Sequence, residues 1–447
     1  AQISRLKGRV VVVGMTGLNI PRQPFYTREL SLTISMSYGP GRYDPNYEER
    51  GNDYPLPYVR WTENRNIEAF LELIGSGKVD VEKLTSHRFS IDDADRAYQL
   101  ISGDSSEPYL GVVLNYDPNS ALTRKISLKG SSVGGAEKKI TVGVIGAGGY
   151  VPAMLLPHFK SAGVRFKSIA TASGVSAHDV GKRFGFEYAV SSADEVLNDN
   201  DINLVVVGTR HDVHAQLAAE ALRRNKHVLV EKPLALNDDQ LDDLVKAATS
   251  SSGLLMVGFN RRFSPLAQQA KDFFKGRNTP LSIVYRVNAG RIPKEHWTQD
   301  QEQGGGRIIG EVCHFVDLMT FFTNALPVSV FAEAVSAKQD KVVDADSVFI
   351  TLKFSDGSNG SIAYLSEGDK ALPKERVEIF GAGRSFVLDD FRIASTFKDG
   401  RENQVQLKAQ DKGQLNQVKD VCESVSSGGA APITLEELVS TTRATFR

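Results

Sequence analysis

The feature that most narrows what this chain can fold into lies near its middle. Residues 140–145 (Ile-Thr-Val-Gly-Val-Ile) are apolar and β-rich, Gly146-Ala147-Gly148-Gly149 follows at once, and a helical pattern runs over 151–162. A strand turning on glycines into a helix is the context that gives a Gly-x-Gly spacing meaning. Gly146 permits the tight turn, and Gly148 has no side chain to keep a pyrophosphate from the backbone. The N–H groups at the helix start, those of Gly149 and Tyr150 included, supply anion-binding donors. The third glycine position is Val151. Further apolar strands follow at 167–172, 202–208, 227–230 and 254–258, with helical stretches at 176–184 and 213–225. This βαβ rhythm predicts a Rossmann dinucleotide-binding domain over 139–258, with NAD or NADP as cofactor.

The choice between the two cofactors turns on the end of the second strand, Ala170-Thr171-Ala172-Ser173-Gly174. An NAD-specific fold usually places Asp or Glu here to hold the ribose 2′-hydroxyl. Ser173 would tolerate a 2′-phosphate, with Lys182 or Arg183 as charge partners, so both cofactors stay open.

Composition excludes several other classes. The formal net charge is -1 and charged residues make up 24%, which gives no electrostatic footprint for nucleic acid or an anionic membrane. No run approaches the ~20 apolar residues a membrane helix needs. Two cysteines, Cys313 and Cys422, suit a reducing cytoplasm rather than a disulfide framework. The histidines are scattered, so no metal site is expected; His211 and His214, three apart after an apolar strand, read as packing or capping residues.

Both ends look cut. The helix opened by Thr434-Leu435-Glu436-Glu437 runs to Arg447 without a polar tail, and the apolar run Arg9-Val10-Val11-Val12-Val13 reads as a strand buried on both faces with nothing before it to supply neighbours. The expectation is a fragment of a longer protein. Residues 1–116 read as one α/β unit and 117–138 as a linker. Residues 259–447, with alternating strands at 281–289, 327–337, 346–355, 358–366, 374–380 and 384–389, read as an α+β substrate and oligomerisation domain with a large, mostly antiparallel sheet.

Residues 1–116 resemble the C-terminal part of the medium-chain, zinc-alcohol-dehydrogenase-like enzymes. The carriers are Gly8–Gly14, Gly77-Lys78-Val79-Asp80, Thr85–Ser90 and Asp93–Tyr98. The zinc ligands and glycine turn of that family are missing, so no catalysis is assigned to this unit.

A more specific resemblance covers 139–447. Asp201 to Thr209, His214, and Asn225-Lys226-His227-Val228-Leu229-Val230-Glu231-Lys232-Pro233 resemble the glucose-fructose oxidoreductase / inositol dehydrogenase (GFO/IDH/MocA) family, and Gly304-Gly305-Gly306 to Asp317 matches its second signature. The whole is similar to a bi-domain oxidoreductase of the type tied to bacterial surface-polysaccharide sugar metabolism. The resemblance implies hydride transfer between NAD(P) and a hydroxyl of a sugar, a nucleotide sugar first, or of a cyclitol. It implies a homo-oligomer as well.

Under this resemblance Thr209, His214, Glu231 and Lys232 join the cofactor site, with Lys232 also on the reacting hydroxyl after a cis peptide to Pro233. His314 becomes the general base. The family commonly has Asp four residues before that His, where this chain has Gly310; Glu311 is the candidate replacement, turned by about 100° on a helix of 3.6 residues per turn. Arg262, Arg291, Trp297 and Asp317 are the remaining substrate candidates. The competing readings are a non-catalytic nucleotide-binding scaffold and a redox-neutral enzyme with tightly held cofactor.

Overall fold

The computed structural model describes residues 2–14, 17–103, 106–118, 124–128, 140–172, 174–335 and 346–447. The chain divides into two units, Ala1–Ala121 and Leu122–Arg447.

In the first unit, strand Arg9–Val12 pairs in parallel with Ser31–Ile34, and Thr85–Ser90 pairs in parallel with Gly111–Asn115. Helices Glu63–Gly75 and Ala94–Ser102 form where the three-to-four spacing of apolar residues predicts them. The expectation that 9–13 is buried on both faces fails. Val11 is 49% and Val13 76% exposed, because the strand has one partner in its sheet and that partner is itself exposed along its length. Ala97 and Leu100 are the buried apolar side chains among the described residues of this unit.

The second unit holds two sheets. The first has seven strands, ordered Leu255–Val257, His227–Val230, Leu204–Val207, Thr141–Ile145, Arg165–Ala170, Tyr188–Val190 and Lys125–Ser127. All are parallel but the last. The central strands are buried throughout, as continuous Val/Ile/Leu runs covered by helices must be. Two boundaries differ from expectation. Lys125–Ser127 lies inside the stretch read as a linker, yet it closes the sheet edge. Helix Gln414–Ser427, assigned to the other domain, sends Val418, Val421 and Cys422 into the core that holds Val142, Val144 and Phe159.

The second sheet has eight strands, ordered 327–334, 348–354, 359–365, 282–288, 375–381, 384–389, 393–398 and 401–406. It is antiparallel except between Ser282–Asn288 and Asn359–Leu365. Strict alternation, as in Val348–Phe354, puts one face on the almost wholly buried helix Cys313–Thr323 and leaves Val284, Phe331, Phe349 and Phe380 exposed on the strands.

The glycine turn is built on near contact between backbones. Gly146 has φ +85°, and a Cβ there would lie 2.6 Å from the carbonyl of Gly208 at the end of the neighbouring strand. The third glycine of the usual fingerprint serves close helix–strand packing. Here Val151 fills that position and Gly208 supplies the room: a Cβ on Gly208 would meet Val151 Cγ2 at 2.2 Å. Gly208→Ala is therefore predicted to destabilise by about 1–3 kcal/mol through overpacking. In denaturant unfolding, the double variant Gly208→Ala/Val151→Ala should be more stable than the sum of the single losses by about 1 kcal/mol; strict additivity would refute the packing exchange.

Candidate active site

Parallel strands end at one edge of their sheet, and ligands of such sheets bind beyond that edge. The turns after Thr141–Ile145, Leu204–Val207 and His227–Val230 line a cleft of about 450 Å³, completed by Asn260, Arg261, Trp297, His314, Lys412 and Gln414. A more open groove shares Gly148 and Gly149 with it and continues past Ser176, Arg183 and Phe184. A Cβ on Gly148 or Gly149 would meet nothing within 4 Å, so the backbone there is bare toward both spaces. These residues fit a dinucleotide: a glycine cradle at the centre, a groove bearing Arg183 on one side and a cleft with titratable groups on the other. Ser173 lies outside the described residues.

Tyr150 and Thr209 both line the cleft. Burial raises the Tyr150 phenol well above its usual range, so it stays a neutral donor. His214 lines the cleft too, but both ring nitrogens face carbonyls, Nδ1 to Pro233 at 2.9 Å and Nε2 to Thr209 at 3.2 Å. The neutral ring has one N–H, so it donates to one of these carbonyls and ties two strand ends together.

Glu231 is fully buried. Its Oε2 accepts from the Lys232 N–H at 3.3 Å, its Oε1 has no partner, and burial raises its pKa to about 7 despite the opposing charge of Lys232. The Lys232–Pro233 peptide is cis. Lys232 Nζ donates to the carbonyl of Gly310 at 3.0 Å, so the position lacking a side chain holds the lysine through its backbone. His314 lines the cleft with its Nδ1 buried and unpartnered. Burial first, then the charges of Arg261, Lys232, Lys374 and Lys412, keep its imidazole neutral.

Glu311 does not replace a carboxylate at 310. Its side chain turns toward the eight-stranded sheet, accepting from Tyr364 Oη at 2.5 Å and pairing with Lys374. Burial opposes its ionisation, yet Lys374, Lys232 and Tyr364 outweigh burial and hold its pKa at about 2. The one-residue shift, within the π-helical turn Ile308–Val312, leaves it outside the cleft lining.

Arg262 and Asp317 are also corrected. They form a bidentate pair at 2.6 and 3.0 Å, with Glu437 at 3.2 Å, so both serve the interior and Asp317 does not orient His314. The cleft takes the preceding residue instead. Arg261 lines it while held by Glu375 at 2.7 and 2.8 Å. Trp297 lines the cleft as expected; Arg291 is exposed and not part of its lining. Lys412 and Gln414 were missed, because a loop and the first residue of helix Gln414–Ser427 bring them in with no motif. Gly413 makes the approach feasible: at φ +90° its Cα passes so close that a Cβ would sit 2.4 Å from the carbonyl of Asn260. His211, read as packing, lines the cleft as well. Among the described residues, no group of three or more His, Cys, Asp or Glu could hold a metal.

Fold and site together define an NAD(P)-dependent oxidoreductase. Residues 140–259 match the oxidoreductase family with NAD-binding Rossmann fold, and 277–387 match the GFO/IDH/MocA C-terminal domain. The chain belongs to the GFO/IDH/MocA oxidoreductases. It is 28% identical over 262 residues to an inositol 2-dehydrogenase of Rhizobium meliloti, covering 57% of this chain and 77% of that one. Levoglucosan dehydrogenase in complex with NADH and levoglucosan shares the fold, with TM-score 0.60 and 21% identity over 69% of this chain and 95% of the other. So does UDP-N-acetylglucosamine 3-dehydrogenase from Acidithiobacillus ferrooxidans, with TM-score 0.59, 21% identity and the same coverage. The family models leave residues 1–116 unmatched, and the medium-chain resemblance there rests on the sequence.

The buried Glu231 carboxyl generates a test. With its folded pKa near 7 and an ordinary value of 4.5, the unfolded chain ionises first as pH rises. Stability is thus lost between about pH 4.5 and 7, by about 3 kcal/mol in total. Glu231→Gln removes that loss, so its melting temperature relative to the parent should rise from pH 4.5 to pH 8; an unchanging difference would refute the assignment.

Proposed function

We propose that the chain moves a hydride between the nicotinamide of NAD(P) and a hydroxyl-bearing carbon of a sugar or cyclitol, at Lys232 and His314. The observation that carries this reading is Lys232 Nζ fixed by the Gly310 carbonyl in the cleft that also receives the neutral imidazole of His314. One N–H of Lys232 is committed to Gly310, and the rest of the nitrogen is free to bond the reacting oxygen. His314 exchanges the proton that leaves or returns to that oxygen, a role suited to a neutral imidazole. Nicotinamide, when bound, supplies the two-electron hydride acceptor or donor. Gly148, Gly149, Tyr150, Thr209 and Arg183 are the residues that would hold the dinucleotide.

A nucleotide-linked sugar is the first substrate to try. A structural neighbour is named for UDP-N-acetylglucosamine, which supports that choice. The apolar outer face of the eight-stranded sheet supports a homo-oligomer. The buried, unpaired Cys313 and Cys422 suit a reducing compartment such as the cytoplasm. No described helix is long and apolar enough to cross a membrane.

Lys232→Ala should keep NADH binding, read by nicotinamide fluorescence, and lose at least about a hundredfold in turnover, read by reduced-cofactor absorbance over a panel of nucleotide sugars and cyclitols. Unchanged turnover would sink the role of Lys232.

A further inference from the structure

His211 follows directly on the strand end that meets the glycine turn, in the turn His211–Val213. Its ring is buried, edge-on to Trp297 at 4.8 Å. Cε1 lies 3.1 Å from the point a Cβ on Gly310 would occupy, so the missing side chain at 310 is what makes room for this imidazole.

Nδ1 of His211 is 2.8 Å from the carbonyl oxygen of Gly304. A carbonyl can only accept, so Nδ1 carries the hydrogen. A neutral imidazole has one N–H, which leaves the lone pair on Nε2. Among the described residues Nε2 makes no hydrogen bond, and it is not sealed from solvent, unlike the Nδ1 of His314. The residue lines the cleft, and Nε2 is its ring nitrogen left to meet a ligand there. Burial, with Lys232 nearby, lowers the His211 pKa to about 3, so the ring remains an acceptor at ordinary pH. Lys232, Arg261 and Lys412, which line the same cleft, have no acceptor to offer.

Lys232 and His211 touch the same residue. One bonds the Gly310 carbonyl, and the other packs against the Gly310 Cα. A donor, Lys232 Nζ, and an acceptor-bearing ring, His211, are thus both held at Gly310. We propose that His211 Nε2 receives a hydrogen bond from a second substrate hydroxyl beside the reacting one, so that the site selects a vicinal diol. This rests on the placement of the reacting hydroxyl at Lys232 given above, and it makes His211 a substrate-binding residue rather than the proton acceptor of the reaction.

Long-range ¹⁵N spectra of the histidine-labelled full chain, with His211→Gln for assignment, read the tautomer directly. A bare Nε2 is expected, with a signal that shifts when myo-inositol is added in the presence of NAD. A protonated Nε2 would overturn the proposal. In kinetics with myo-inositol as the probe, His211→Phe should raise KM about tenfold, the worth of one hydrogen bond to a neutral group, and lower kcat by less. His211→Gln, whose amide oxygen can accept, should recover most of the loss, and His211→Ala replaces the Phe variant should that one not fold. An unchanged KM in both variants would overturn the proposal. If the chain oxidises neither a nucleotide sugar nor a cyclitol, the reading of the preceding section fails while the spectrum still decides the tautomer, so the two failures are told apart.

Discussion

A carboxylate taken out of water costs several kcal/mol unless the protein returns what water gave. Glu375 is 1% exposed and recovers that cost from four directions: two bonds from Arg261, one from Lys412 at 2.7 Å and one from the hydroxyl of Tyr285 at 2.5 Å. Burial alone would raise its pKa, but the two cations hold it far below the usual range. Arg261 leaves the last strand of the seven-stranded sheet, Tyr285 and Glu375 belong to the eight-stranded one, and Lys412 precedes the helix that returns to the first. Where this one carboxylate sits decides how the two sheets meet. Arg261 and Lys412, which reach the cleft, are set by it.

The same economy governs the cleft. Several titratable groups that could compete for the substrate are bound elsewhere: Glu311 by Lys374 and Tyr364, Arg262 by Asp317 and Glu437, Arg261 by Glu375. What is left unengaged is a small set of atoms on Glu231, Lys232, His314 and His211. Selectivity in such a site comes as much from what has been neutralised as from what is presented.

Much of this was legible in the sequence, for identifiable reasons. Strands buried on both faces announce themselves as apolar runs, and the glycine turn and Glu231-Lys232-Pro233 each couple a local geometry to a chemistry. Lys125–Ser127 could not be read, being three residues long with every side chain exposed. Arg401–Gln406 was missed because this outermost strand, Arg-Glu-Asn-Gln-Val-Gln, buries no residue fully, and Ile393–Lys398 because its two buried residues, Ala394 and Ser395, are consecutive, so neither shows alternation. At the site, two adjacent arginines have equal claims in sequence; only the short helical turn Asn260–Phe263 decides that Arg261 faces the cleft and Arg262 the core. The tautomer of His211 depends on a carbonyl 93 residues away, a distance no local pattern spans.

The exchange between Val151 and Gly208 bears on how such domains are recognised at all. A fingerprint written as a spacing of glycines is a linear shadow of a volume requirement: somewhere between helix and strand one side chain must be absent. In this chain the absence has moved from the helix to a different strand, 57 positions along, and the crossing is no looser for it. Chains that satisfy the same requirement by other pairings would be invisible to a search for the spacing, yet open to one that asks which two backbones need to touch.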